Sequence, residues 1–176
     1  MNRTAIEPVR LCLANCRAWS DDWFLLACGD FAAGSYNAMT VAWGGLGVMW
    51  NRPIAMVVVR PTRYTYEFME RYPDFTLCRF PVDHRDALQY CGSHSGRDGD
   101  KIAAARLTAT AARRVGSPVF DEAELAVECR IIYSQDFDPG RFKDPAIERN
   151  YPLKDYHRMY FGEILHVEGA GDFTAG

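Results

Sequence analysis

The sequence predicts a mainly β protein, a closed antiparallel barrel with helices inserted between strands. Strand-forming segments outnumber helical ones, and regular helical crossovers do not separate them, so a doubly wound parallel sheet is disfavoured. No internal repeat, low-complexity tract or linker divides the 176 residues. One domain is therefore expected, with its core between about residues 22 and 168.

The elements follow in order. Phe24 to Cys28 reads as a short buried strand ended by Gly29-Asp30, and Tyr36 to Trp43 as the next. Ile54 to Val59 is a continuous apolar run stopped by Pro61, the pattern of a central strand buried on both faces. A helix follows, capped by Thr62 or Thr65, through about Arg71, and Pro73 ends it. Phe75 to Phe80 alternates as a strand should. Asp83 to Tyr90 reads as a short helix opened by an Asp cap. Asp98 to Leu107 reads as a third helix, with Ile102, Ala103 and Leu107 on one face. Leu125 to Tyr133 is a long strand, and its last three residues are apolar on both faces. Met159 to Val167 is the final strand, where Gly162 marks a bulge or the close approach of another backbone. The small, polar tail from Gly169 is expected to fray.

Composition narrows the function. Apolar residues make up 48%, charged residues 24%, net charge is -3 and pI is about 5.8. Basic residues are spread along the chain, which argues against a nucleic-acid footprint. No basic-apolar leader is present, and no apolar run approaches ~18 residues. A cytoplasmic protein without a membrane span is expected. The six cysteines form no Cys-x-x-Cys pair and the four histidines no metal-binding spacing. No metal is expected, and the cysteines read as reduced thiols, mostly buried as small hydrophobes.

Three segments carry chemistry. Asn37-Ala-Met39-Thr40-Val41-Ala42-Trp43-Gly-Gly sets a polar Asn-x-x-Thr into an apolar strand and ends in a glycine pair. A strand running its backbone along a planar, polar ligand has use for that pattern, and Trp43 adds a stacking face. An ordinary core strand with one buried Asn is the alternative. Arg60-Pro-Thr-Arg63-Tyr64-Thr65 joins two arginines to hydroxyls where a helix starts. Cys91-Gly-Ser93-His94-Ser95-Gly96-Arg97-Asp98 puts hydroxyls and an arginine between glycines, with Lys101 one turn into the following helix. Backbone N–H groups at a helix entry attract anions, and the arginine fork suits phosphate. Plain loops with solvated arginines are the alternative for each of these two.

Taken in order, N-A-M-T-V-A-W-G-G, N-R-P-I-A at 51–55, R-P-T-R-Y-T and C-G-S-H-S-G-R-D-G-D-K resemble the flavin reductase-like FMN-binding family of the flavoredoxin type. The resemblance runs from about Ala27 to Lys101 and continues more weakly to the G-E-I-L-H-V ending at Val167. It implies a Greek-key antiparallel split barrel, a homodimer, and one non-covalent FMN per protomer near the dimer interface. Asn37 and the strand Met39, Thr40, Val41, Ala42 and Trp43 would line the isoalloxazine, chiefly through backbone groups. Arg63, Tyr64 and Thr65 would meet the phosphate or ribityl chain. Ser93, His94, Ser95, Gly96, Arg97 and Lys101 would lie on its other side.

The activity so implied is an NAD(P)H-dependent flavin oxidoreductase. It would pass electrons to a free flavin, a partner oxygenase or a small acceptor. A non-enzymatic electron carrier or redox sensor needs the same cradle. No acid, base or nucleophile stands out, as expected if the flavin carries the chemistry. His157 reads as a surface-loop histidine, with a loop that covers a flavin edge as the alternative; His166 reads as a satisfied barrel histidine, and Cys91 as a passive thiol, with redox partnership to the flavin as the alternative. Trp50, Met49 and Tyr36 are candidates for the dimer surface.

Overall fold

A computed structural model describes residues 2–171, 173 and 174. The strands are β1 (Thr4–Ile6), β2 (Phe24–Asp30), β3 (Ser35–Val41), β4 (Gly44–Met49), β5 (Arg52–Val59), β6 (Asp74–Arg79), β7 (Ala109–Thr110), β8 (Val119–Phe120), β9 (Leu125–Asp136) and β10 (Arg158–Gly169). The helices are α1 (Asn15–Arg17), α2 (Tyr64–Arg71), α3 (Arg85–Ser93) and α4 (Lys101–Ala104).

Eight strands form one antiparallel sheet in the order β3-β2-β6-β9-β10-β5-β4, with β1 pairing the second half of β10. The ends of that path, β3 and β4, are joined in the chain by Ala42 and Trp43. No ladder links β3 to β4 among the described residues, so the barrel is split there. β7 and β8 make a separate small hairpin.

Alternation along β2 explains the layering. Phe24, Leu26 and Cys28 point into the barrel with Val57, Phe75 and Val127. Leu25 and Ala27 point outward beneath Leu88 of α3 and Ile102 of α4. Every residue from Phe24 to Gly29 is therefore buried. β5 lies between β10 and β4, and its apolar run is buried except at half-buried Met56.

Gly162 meets both expectations for it. The register shifts between Phe161 and Gly162, and a Cβ there would lie 2.6 Å from the Phe75 ring and 2.7 Å from Cys129 Cβ.

Several local expectations fail. Neither Thr62 nor Thr65 caps α2; Arg63 is its N-cap and Thr65 is buried. Asp83 does not open α3 but pairs with His84 Nδ1 at 3.0 Å, and the helix begins at Arg85. The helix foreseen over 98–107 shrinks to α4, capped by Asp100. Gly99 at φ 152° precludes an earlier start, and Arg106 at φ 56° stops it. The second half of β9 is not apolar on both faces of a core, because Tyr133 is exposed. The tail does not fray at Gly169: Phe173 is buried and its carbonyl accepts from Cys12 N at 2.8 Å. β4 stands where the Gly44-Gly45 pair was read as an end. A side chain at Gly44 would collide with the Trp19 ring.

Candidate functional site

The Asn37–Trp43 strand borders a cleft of about 230 Å³. Met39 to Trp43 form one wall; Val58, Arg60 and His157 form the other. The Thr40 hydroxyl is already spent, donating to Leu88 O of α3 at 2.5 Å. Gly92, at the end of α3, packs on Thr40, where a Cβ would lie 3.3 Å from the Thr40 Cβ. Only the backbone of this strand edge and the Trp43 ring, half-exposed beside the cleft, remain for a ligand.

Asn37 and Thr65 tie this strand to α2. Both are buried, and Asn37 Nδ2 donates to Thr65 Oγ1 at 2.7 Å. Gly96 lies against Asn37 and the Tyr64 ring so closely that a side chain would overlap the Asn37 amide. These contacts gather the segments 37–43, 60–65 and 91–97 around one place.

Their cations differ sharply. Arg63 Nη2 donates to Gly92 O at 2.5 Å, and burial followed by the Arg60 charge lowers its pKa. Lys101 is buried, and Nζ donates to Cys91 O and His94 O, each at 3.0 Å. Burial holds its pKa down to about 8; the Cys91 side chain opposes the shift and Arg63 adds to it. Neither Arg63 nor Lys101 has a carboxylate partner among the described residues. Arg97 has one: Nη2 is 2.5 Å from Glu67 Oε1, and the guanidinium lies over Tyr64 with Cζ 4.8 Å from the ring centroid.

The remaining predicted residues are local. Ser93 Oγ donates to Gln89 O at 2.8 Å, and Ser95 Oγ accepts from Arg97 N at 3.2 Å. His94 stacks on Tyr90, ring centroids 3.8 Å apart. Ser93 closes a helix rather than opening one, so the predicted helix-entry cradle at 93–98 is absent. Arg60 also departs from its phosphate reading. It makes a two-pronged pair with Asp155 at 2.8 and 2.9 Å and donates to Asn150 O at 2.7 Å.

Asp155 and Asn150 belong to the connection 137–157, which carries His157 to the cleft. His157 is buried, not a surface-loop residue. Its Nδ1 lies 2.8 Å from Tyr151 Oη, and its ring centroid is 5.2 Å from that of Trp43. Burial, helped by Arg60 and opposed by Asp155, lowers its pKa to about 4, so the imidazole is neutral at pH 7. The aromatic density of 137–157 was a legible signal that this connection packs; its destination was not.

A second groove, about 260 Å³ and lined by residues such as Leu11, Leu13, Leu46 and Val48, has no charged side chain. It offers nothing to hold an anion. Among the described residues no three His, Cys, Asp or Glu side chains gather to bind a metal. Among the described residues no helix is long and apolar enough to cross a membrane.

Residues 24–175 match the family described as flavin reductase like domain. The chain belongs to this family. An FMN-binding domain of a flavin reductases-like enzyme from Shewanella baltica superposes with TM-score 0.70 at 18% identity, covering 96% of this chain and 77% of that one. Flavoredoxin of Desulfovibrio vulgaris gives 0.65 at 23% identity, covering 85% and 75%. An NADH:FAD oxidoreductase of Streptomyces globisporus gives 0.61 at 15% identity, covering 83% and 74%. These likenesses establish the split-barrel fold.

In this flavin reductase-like chain, Cys91 is buried and its thiol pKa is raised by burial despite Lys101. It is not poised for redox chemistry. His166 sits on β10, 3.4 Å from Glu168, as a satisfied barrel histidine would.

Proposed function

We propose that the chain binds FMN and works as an NAD(P)H-dependent flavin oxidoreductase, passing electrons to a free flavin, a partner oxygenase or another small acceptor. One observation carries this reading. Two neighbouring cations, half-buried Arg63 and buried Lys101, have no carboxylate partner among the described residues and bond the loop 91–94, whose Gly92 packs on Thr40 of the strand that edges the cleft. Buried charge of one sign is costly, and a phosphate monoester at about -1.5 to -2 is a fitting partner. The family and the FMN-binding neighbours support FMN as the molecule that carries it.

FMN, when bound, supplies the hydride-accepting ring. The chain's residues do the rest. The Met39–Trp43 backbone and Trp43 would line the ring. Arg63, Lys101 and Arg97 would supply positive charge for the phosphate, Lys101 while bonded to the carbonyls of 91 and 94. Neutral His157, fixed by Tyr151 and backed by the Arg60–Asp155 pair, presents a hydrogen-bonding edge to the cleft without adding charge. The nicotinamide would enter from the open side of the cleft, beside Trp43. We place the protein in the cytoplasm as a homodimer.

The test is direct. The purified protein should be yellow and release FMN on heating; predominant FAD, the flavin in the name of the Streptomyces relative, would reject FMN. Mixing with NADH or NADPH should bleach the flavin absorbance near ~450 nm. Bound FMN that neither nucleotide bleaches would leave an electron carrier or redox sensor instead.

A further inference from the structure

Arg63 and Lys101 bond the loop 91–97, which carries a third cation, Arg97, and among the described residues only Arg97 has a carboxylate partner. Arg63 and Lys101 bond backbone carbonyls alone. Arg97 pairs with Glu67 at 2.5 Å, and its Nη1 reaches Thr62 O, next to Arg63, at 3.4 Å. Among the described residues Glu67 has no other charged partner. Both side chains of the pair are about half exposed, 45% for Arg97 and 58% for Glu67, so water competes for each. Such a pair is weakly held, and a more highly charged anion can take the arginine from it.

We propose that Glu67 sets flavin affinity by holding Arg97 in the free protein and yielding it to the ligand's phosphate. This rests on the phosphate reading of the Arg63–Arg97 region. The exchange is simple. The Arg97 guanidinium leaves one carboxylate and meets one phosphate, and Glu67, on the exposed first turn of α2, returns to water. Each flavin that binds must displace Glu67, and each that leaves is replaced by it. Glu67 also places a negative charge beside the incoming phosphate. Both effects lower affinity and favour release. The pair therefore marks a site built to exchange its flavin, as a protein handling flavin as a substrate must, rather than to retain it.

The test titrates the full chain with FMN and with riboflavin, which lacks the phosphate, for the wild type, Glu67→Gln, Arg97→Ala and the double variant. Glu67→Gln should tighten FMN by about two- to tenfold and leave riboflavin unchanged. The gain should vanish in the Arg97→Ala background, since no arginine is then left to release. Thermal melts confirm that each variant is folded; Glu67→Ala serves as a second replacement. Glu67→Gln that leaves FMN affinity unchanged, while Arg97→Ala weakens it, overturns the inference and spares the phosphate reading. Arg97→Ala that leaves FMN affinity unchanged overturns both. A gain that persists without Arg97 overturns the exchange.

Discussion

Asn37 and Thr65 lie 28 positions apart, and one buried 2.7 Å hydrogen bond between their side chains fastens the cleft strand β3 to helix α2. The bond sets the distance between the surface for a ring and the cations for a phosphate. Asn37→Ala leaves the Thr65 hydroxyl buried and unpaired, at a cost of about 1–3 kcal/mol. Chemical denaturation should show that loss, and FMN affinity should fall with it. Asn37→Ala combined with Thr65→Val should cost less than the sum of the two single changes; full additivity would mean the bond is idle.

Arg63 and Arg97 should differ as phosphate holders. A charge-assisted hydrogen bond contributes about 1.5–3 kcal/mol, or roughly 10- to 150-fold in affinity. Arg63→Ala should lose FMN binding across that range. Arg97→Ala should fall at its low end, because Arg97 gives up Glu67 to bind. Arg114, exposed and distant in sequence, is the control and should stay within about twofold when changed to Ala. Equal affinities for all three variants in a fluorescence titration would remove both arginines from the phosphate site.

Lys101 makes binding pH-dependent. Its folded pKa of about 8 lies below the ordinary 10.5, so between those values the folded protein binds fewer protons than the unfolded chain. Stability of the free protein should therefore rise with pH across that window. A phosphate nearby favours the charged amine, so FMN binding takes up a proton and affinity falls as pH climbs above about 8. Riboflavin should lack that fall. An FMN affinity as flat as riboflavin's up to about pH 9.5 contradicts the linkage.

His157 acts in the acid range. Its folded pKa of about 4 lies below 6.5, so the unfolded chain takes the extra proton between those values. Stability it contributes is complete above about pH 6.5 and is lost as pH falls towards 4, on the order of 2–3 kcal/mol. Imidazole NMR shifts should show a neutral ring at about pH 5.5. Acid unfolding of His157→Gln should be shallower than that of the wild type; identical curves would discount the buried ring.

The proposed homodimer has a candidate surface in the structure. Trp50, Tyr133 and Phe161 form an aromatic triangle with centroids 5.8–6.0 Å apart, and Val48 and Met49 are exposed. Tyr36 lies apart from this cluster, half-buried against Phe31. Light scattering should give a dimer at micromolar protein, and Trp50→Glu should shift it towards monomer. A monomeric wild type would leave the patch without a role.

The long apolar strands were legible because periodicity and β-branching report burial directly: β2, β5, β6 and β10 stand close to where the sequence put them. β4 was not legible, because Gly44, Gly45 and Gly47 carry no strand signal, and what Gly44 provides, room for Trp19 and the Met56 carbonyl, is visible only in the packing. Helix starts failed for a related reason. Thr65 and Asp83 look like caps, but a tertiary partner, Asn37, claims the Thr65 side chain and the adjacent His84 claims that of Asp83. The segments that the structure gathers, 37–43, 60–65 and 91–97, were each marked by amides or hydroxyls beside glycine or arginine. The partners of Arg60 were not legible, and the His157 loop only as one that could cover a flavin edge, since both depend on a connection whose path only packing decides.

β10 is the strand that pairs with β9, β5 and β1 at once. It is also the last strand of the sheet in chain order, and without it the β4–β5 hairpin has no ladder to the rest of the sheet among the described residues. The two walls of the cleft, β3 on one side and Val58 with Arg60 on the other, therefore cannot be held face to face until residues 158–163 have been made and paired with β5. Contacts of such sequence separation form slowly. The cleft is thus completed late in synthesis, and the proposed flavin would find no cleft on a shorter nascent chain.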